Sequence, residues 1–175
     1  TVDDIVDVIE QENTEDFEKM AALSPAEDAY LKTGVFTLAK NRVVWLLILM
    51  ISGTISSFII SANQALVAQV VVLSSFFPML MDTGGNAGSQ ASTLTIRGIA
   101  LGEIKPSNIL TVLWKEFRVG VLCGAVLGAV NFVRHTALHS ADFKVNLTVS
   151  ITMGLAVVVA KCLGCLLPLG AKMLK

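Results

Sequence analysis

From Val43 to Ile60 the chain runs for eighteen residues without a charge, with Lys40 and Arg42 just before it. As an α-helix this run is about 27 Å long, close to the hydrocarbon thickness of a bilayer. Across all 175 residues, 54% are hydrophobic and the mean hydropathy is +0.71, which leaves too little polar surface to coat a soluble domain. The expected fold class is an all-α polytopic membrane protein with four transmembrane helices. They cover about 43–60, 65–100, 119–133 and 145–167.

The second of these segments is too long for one ordinary crossing, and Pro78, Gly84, Gly85 and Gly88 interrupt it. One broken helix crossing once and two separate crossings compete, and the loop charges discriminate between them. With a single crossing, Lys32, Lys40, Arg42, Arg97, Lys105, Lys115, Arg118, Lys172 and Lys175 share one side, opposite only Arg134 and Lys144. This bias predicts a discontinuous second helix, broken near 78–88, in a multi-pass protein of the cell membrane with both ends of the chain cytoplasmic. No secretory signal peptide is expected.

Small residues repeat at four-residue spacing and predict close helix contacts: Gly53, Ser57 and Ser61; Gly120, Gly124 and Gly128; Ala156, Ala160 and Gly164. The last span should stop near Pro168, with Lys161 snorkelling to the headgroups. Cys162 and Cys165 form a lone CxxC on an apolar helix, which reads as packing, and His135 with His139 is a two-ligand pair short of a metal site. Glu116, beside Lys115 and Arg118, reads as an ion-pair partner, with a cation ligand as the alternative.

Charge is concentrated ahead of the first span. Ten of the fourteen Asp and Glu lie within residues 1–28, accompanied only by Lys19. Val2, Ile5, Val6 and Ile9 form an apolar stripe with Asp3, Asp4, Asp7 and Glu10 around it, so residues 1–12 predict an amphipathic helix in need of a partner. A second short helix over 13–23 has Glu15 and Asp16 in its first turn, where the helix dipole favours negative charge. Asp4 with Asp7 and Glu15 with Asp16 are candidate divalent-cation ligands, and a solvated acidic face is the competing reading.

Asp82 is the only carboxylate between Val43 and Leu101. On a helix it shares a face with Asn86, Ser89 and Thr93, all of which offer oxygen. Carboxylates at membrane depth usually line a substrate path, and hard cations select oxygen ligands. Gly84, Gly85 and Gly88 would let backbone carbonyls approach such a path closely. The competing reading makes the glycines a helix-crossing device and the polar groups interhelical glue.

The segment PMLMDTGGNAGSQASTLTIRGIALGEI, with VDDIVDVIEQENTEDFEKM before the first span and AKCLGCLLPLGAKMLK at the end, resembles the MgtE family of magnesium channels and transporters. The resemblance implies a homodimer with the ion path between subunits, and a cytosolic N-domain and CBS pair preceding a connecting plug helix and five membrane helices. It places residues 1–12 at the end of a CBS module, 13–40 in the connecting region and 41–175 in the membrane domain. It matches Gly85, Ser89 and Thr93 to pore-lining positions, although the position of Ser89 is often Asn in the family. It matches Asp4, Asp7, Glu15 and Asp16 to residues that bind cytosolic Mg2+ and so hold the pore closed.

On the same basis the chain is expected to be a fragment, lacking the N-domain, most of the CBS pair and a fifth helix carrying a pore Asp. The expected function is therefore magnesium passage through a cation channel gated by cytosolic Mg2+, without covalent catalysis. A carrier for Co2+ or Mn2+ and a non-transporting membrane assembly subunit are the alternatives. No nucleic acid partner is expected.

Overall fold

The computed structural model describes residues 8, 32–69, 71–138 and 142–173. Among them there is no strand: the elements are α1 (Val35–Ala62), α2 (Gln64–Gln69), a 3-10 turn (Val71–Phe76), α3 (Phe77–Ala100), a 3-10 turn (Pro106–Asn108), α4 (Ile109–Leu138) and α5 (Phe143–Met173). An all-α membrane protein is what this describes. α1, α5 and the stretch Pro106–Ala137 are long and apolar enough to cross a bilayer, whereas α3 falls short because of its polar residues. The chain divides into two compact units, residues 1–66 and 67–175.

In the first unit, α1 begins after an extended Gly34 and ends where Asn63 donates from Nδ2 to the Ile59 carbonyl at 2.8 Å. Thr54 and Ser56 donate their hydroxyls back to the carbonyls of Met50 and Ser52. Such back-bonding satisfies hydroxyls that would otherwise be costly to place in hydrocarbon. Gly53, Ser57 and Ser61 are all exposed on this helix.

In the second unit α5 is the central helix and packs against both α3 and α4. Towards α4 the expected glycine ridge is in place. A Cβ added at Gly120 would stand 3.1 Å from Val158 Cα, at Gly124 2.6 Å from the Gly154 carbonyl oxygen, and at Gly128 2.9 Å from the Ser150 carbonyl oxygen. Only glycine permits backbones this close. Towards α3, Gly88 lies on Ala160, its added Cβ 3.2 Å from that carbonyl, and Gly164 lies on the backbone of Gly88. The α5 ridge expected from sequence therefore serves α3, while Ser150, Gly154 and Val158 serve α4.

Three local expectations change. The discontinuity of the 65–100 segment falls at the 3-10 turn Val71–Phe76, and α3 is unbroken from 77 to 100. Pro78 sits in the first turn of α3, where its missing N–H costs nothing, so it starts the helix instead of breaking it. α5 runs through Pro168 to Met173 at the loss of one N–H donor. Lys161 does not lie along an open outer surface of α5: the residue is 5% exposed, because its position lies between the α3-facing and α4-facing ridges.

Candidate functional site

α3 has two opposed faces. Ala87, Ala91, Thr95 and Gly98 are buried in the bundle, and Thr95 keeps its hydroxyl satisfied by donating to the Ala91 carbonyl at 2.8 Å. At 100° per residue, Asp82, Asn86, Ser89 and Thr93 fall within about 60° of arc on roughly the opposite side. All four are exposed, and Asn86 Nδ2 donates to Asp82 Oδ2 at 3.2 Å. The stripe predicted from spacing is thus assembled, and it points away from the helices that hold α3.

The glycines separate by role. Gly85 is exposed beside the stripe, and nothing lies within 4 Å of a Cβ added to it. Gly84 has the same open surroundings but lies on the bundle side of α3, away from the stripe. Gly88 is consumed by packing on α5. Of the three, only Gly85 is exposed next to the stripe.

The far end of α3 is fixed by its C-terminal turn. Leu101 donates its N–H to the Arg97 carbonyl, Gly102 takes φ 71°, and Ile104 donates its N–H to the Gly98 carbonyl at 2.9 Å. The Ile104 side chain lies directly on Gly98, its Cδ1 2.6 Å from where a Cβ would stand, so a larger residue there would have to turn that side chain aside. At the other end, Arg134 of α4 donates to Met79 Sδ at 2.8 Å and to Asn131 Oδ1 at 3.1 Å, and Asn131 donates to Ser150 Oγ at 3.2 Å. This polar cluster, buried at Asn131 and Ser150 and open at Arg134, tethers the start of α3 to α4 and α5. Sequence reasoning missed it, because its members are spread over three helices.

Other expected site residues have different surroundings. His135 is buried with its ring edge-on to Phe76, 4.6 Å between centroids, and its Nε2 is 3.1 Å from Arg134 Nη2. A guanidinium at that distance opposes a metal. Arg118 lies over the Trp114 ring at 5.9 Å, while Glu116 Oε2 is buried without a hydrogen-bond partner, so the expected ion pair does not satisfy that oxygen. No group of three or more His, Cys, Asp or Glu is placed to hold a metal among the described residues. Asp4, Asp7, Glu15, Asp16 and His139 lie outside the described residues.

A helical bundle with several helices apolar and long enough to cross a bilayer defines a polytopic membrane protein. Residues 77–175, which contain α3, α4 and α5, match the family model MgtE, described as a divalent cation transporter. The chain belongs to the MgtE family. It is 34% identical over 173 residues to the magnesium transporter MgtE of Thermus thermophilus, covering 96% of this chain and 37% of that protein. It is 39% identical over 126 residues to the protein of the same name from Bacillus subtilis, covering 72% of this chain and 28% of that protein. With the Enterococcus faecalis magnesium transporter MgtE the identity is 28% over 169 residues, covering 97% and 36%. The chain spans about a third of the length of these curated relatives.

Proposed function

We propose that this chain forms part of a magnesium channel, with α3 supplying one wall of the ion path and a second copy supplying the other. The observation that carries this reading is the position of the stripe opposite the buried face of α3. An aspartate facing lipid costs about 2.5–3.5 kcal/mol at a helix centre by insertion scales, an upper bound for Asp82 in the second turn of α3, before its neighbouring amide and hydroxyls are counted. Burial against an identical stripe with water between removes that cost. Two copies then offer paired carboxylates, amides and hydroxyls around a common axis.

The chemistry suits Mg2+ as substrate. The ion sheds water reluctantly, so a path lined by Asn86, Ser89, Thr93 and the open backbone at Gly85 can pass it with most of its hydration shell retained. The names of the relatives support the choice of ion. Asp4, Asp7, Glu15 and Asp16 are proposed as the regulatory sites: ten acids against one base in residues 1–28 repel one another unless divalent cations neutralise them, so cytosolic Mg2+ would draw that segment together and close the path.

The test is Mg2+ uptake by liposomes containing the full-length protein, driven by an inward gradient, with a fluorescent indicator inside. Rapid uptake that falls as magnesium is raised on the face bearing the acidic segment is expected. No uptake by protein shown to be inserted and folded would overturn the reading. Obligatory exchange against a second ion would replace it with a carrier.

A further inference from the structure

On the side of α4 and α5 where their glycines meet, the helices leave an apolar groove of about 540 Å3. Ala125, Ala129 and Phe132 form one wall; Leu147, Ile151 and Leu155 form the other. The groove exists because Gly124 and Gly154 bring the backbones together, leaving short side chains below and longer ones at the rims. Both helices are apolar enough to span a bilayer, so the groove runs at acyl-chain depth. Its volume is of the order of one acyl chain.

One end of the groove carries features that an acyl chain alone does not need. Lys144, Leu147, Ile151 and Leu155 recur at three- and four-residue spacing, so the exposed lysine continues the α5 wall one turn beyond the groove. Beside it, Phe143 stacks edge-on with Phe132, with centroids 5.6 Å apart and planes at 86°, and Phe143 is itself exposed. Asp142 is committed to the helix start, its Oδ1 accepting the backbone N–H of Lys144 at 3.1 Å. A base and an aromatic at the headgroup level, above a channel for a chain, is the polarity profile of a phospholipid.

We propose that this groove binds one acyl chain of an anionic phospholipid whose phosphate is held at Lys144. A protein helix would fill the apolar part equally well but would bring no phosphate to Lys144. A zwitterionic lipid would fill the groove with a weaker hold on its headgroup. Occupancy is independent of the ion path, since the groove residues lie on α4 and α5 and the stripe lies on α3.

The test uses the full chain in proteoliposomes with Trp45 and Trp114 replaced by Phe and a single reporter, Ile151→Trp. Leu155→Trp serves as the second reporter if the first does not fold. Lipids brominated on the acyl chain are titrated in as phosphatidylglycerol or as phosphatidylcholine. Half-quenching is expected at about fivefold lower mole fraction for phosphatidylglycerol, the factor that one lysine supplies at a membrane surface. Lys144→Ala should bring the two midpoints together. Equal midpoints with Lys144 present would mean ordinary surrounding lipid, and no quenching by either lipid would mean that a protein segment covers the groove. Either result overturns the proposal.

Discussion

Gly124→Ala is the sharpest test of the packing. The added Cβ would sit 2.6 Å from the Gly154 carbonyl oxygen and 3.2 Å from its carbonyl carbon and Cα, whereas ordinary contact begins near 3.4 Å. The obstacle is backbone, so no side chain can turn aside, and α4 and α5 must part by about 0.8 Å at the crossing. A gap of that size forfeits roughly a quarter to a half of the dispersion energy of each affected contact. Overpacking of this kind costs about 1–3 kcal/mol, against a gain in helix propensity of up to about 1 kcal/mol. The reciprocal change, Gly154→Ala, meets the Gly124 oxygen at 3.1 Å and should cost less. Gly84→Ala meets nothing within 4 Å and should be neutral or slightly stabilising. Unfolding in mixed micelles by increasing SDS, followed by circular dichroism, ranks the three. If Gly124→Ala unfolds at the same midpoint as Gly84→Ala, the close crossing does not exist and the reasoning fails.

Thr93→Leu should strongly reduce Mg2+ flux in liposomes while leaving the unfolding midpoint unchanged, because residue 93 is exposed on α3; a parallel loss of stability would point to packing instead. Lys161→Met should be tolerated or stabilising by about 1 kcal/mol in the same unfolding assay, since it replaces a largely buried charged side chain by an apolar one of similar length. A loss as large as that of Gly124→Ala would show that the amine is bonded within the bundle. Cys162→Ala should leave both flux and oligomeric state unaltered, the thiol being only half-buried and without a disulfide; loss of activity would restore the CxxC pair as a functional motif.

How much could be read from sequence depended on whether a feature was local or shared. The spacing of Asp82, Asn86, Ser89 and Thr93 defines one helical face by arithmetic, and α3 presents it. Gly120, Gly124 and Gly128 announced a contact surface but not its partner, because four-residue spacing is common to every candidate neighbour. Pro78 was assigned the wrong effect for a physical reason: the residue that breaks a helix interior is the one that suits its first turn. Lys161 was placed by its distance from the end of the span, whereas its burial depends on angle around the helix, which distinguishes lipid from bundle only once both neighbours are known. The cluster joining Met79, Asn131, Arg134 and Ser150 left no sequence trace, since each member alone is an ordinary polar or sulfur-bearing residue in a helix.

The two-faced character of α3 also bears on how the protein is made. Its outer face leaves the helix too polar to count among those able to cross by their own hydropathy, and the face that is apolar is complementary to α5. α3 closes at Ala100, and α5 does not begin until Phe143. A ribosome therefore completes the helix well before it has synthesised the surface that makes lateral entry into lipid favourable. Stable insertion of α3 must wait for α5, so a nascent chain arrested before Phe143 should leave the Ala87, Ala91 and Thr95 face of α3 accessible to modifying reagents from the aqueous side, and one extended past Met173 should protect that face while the outer stripe stays reachable.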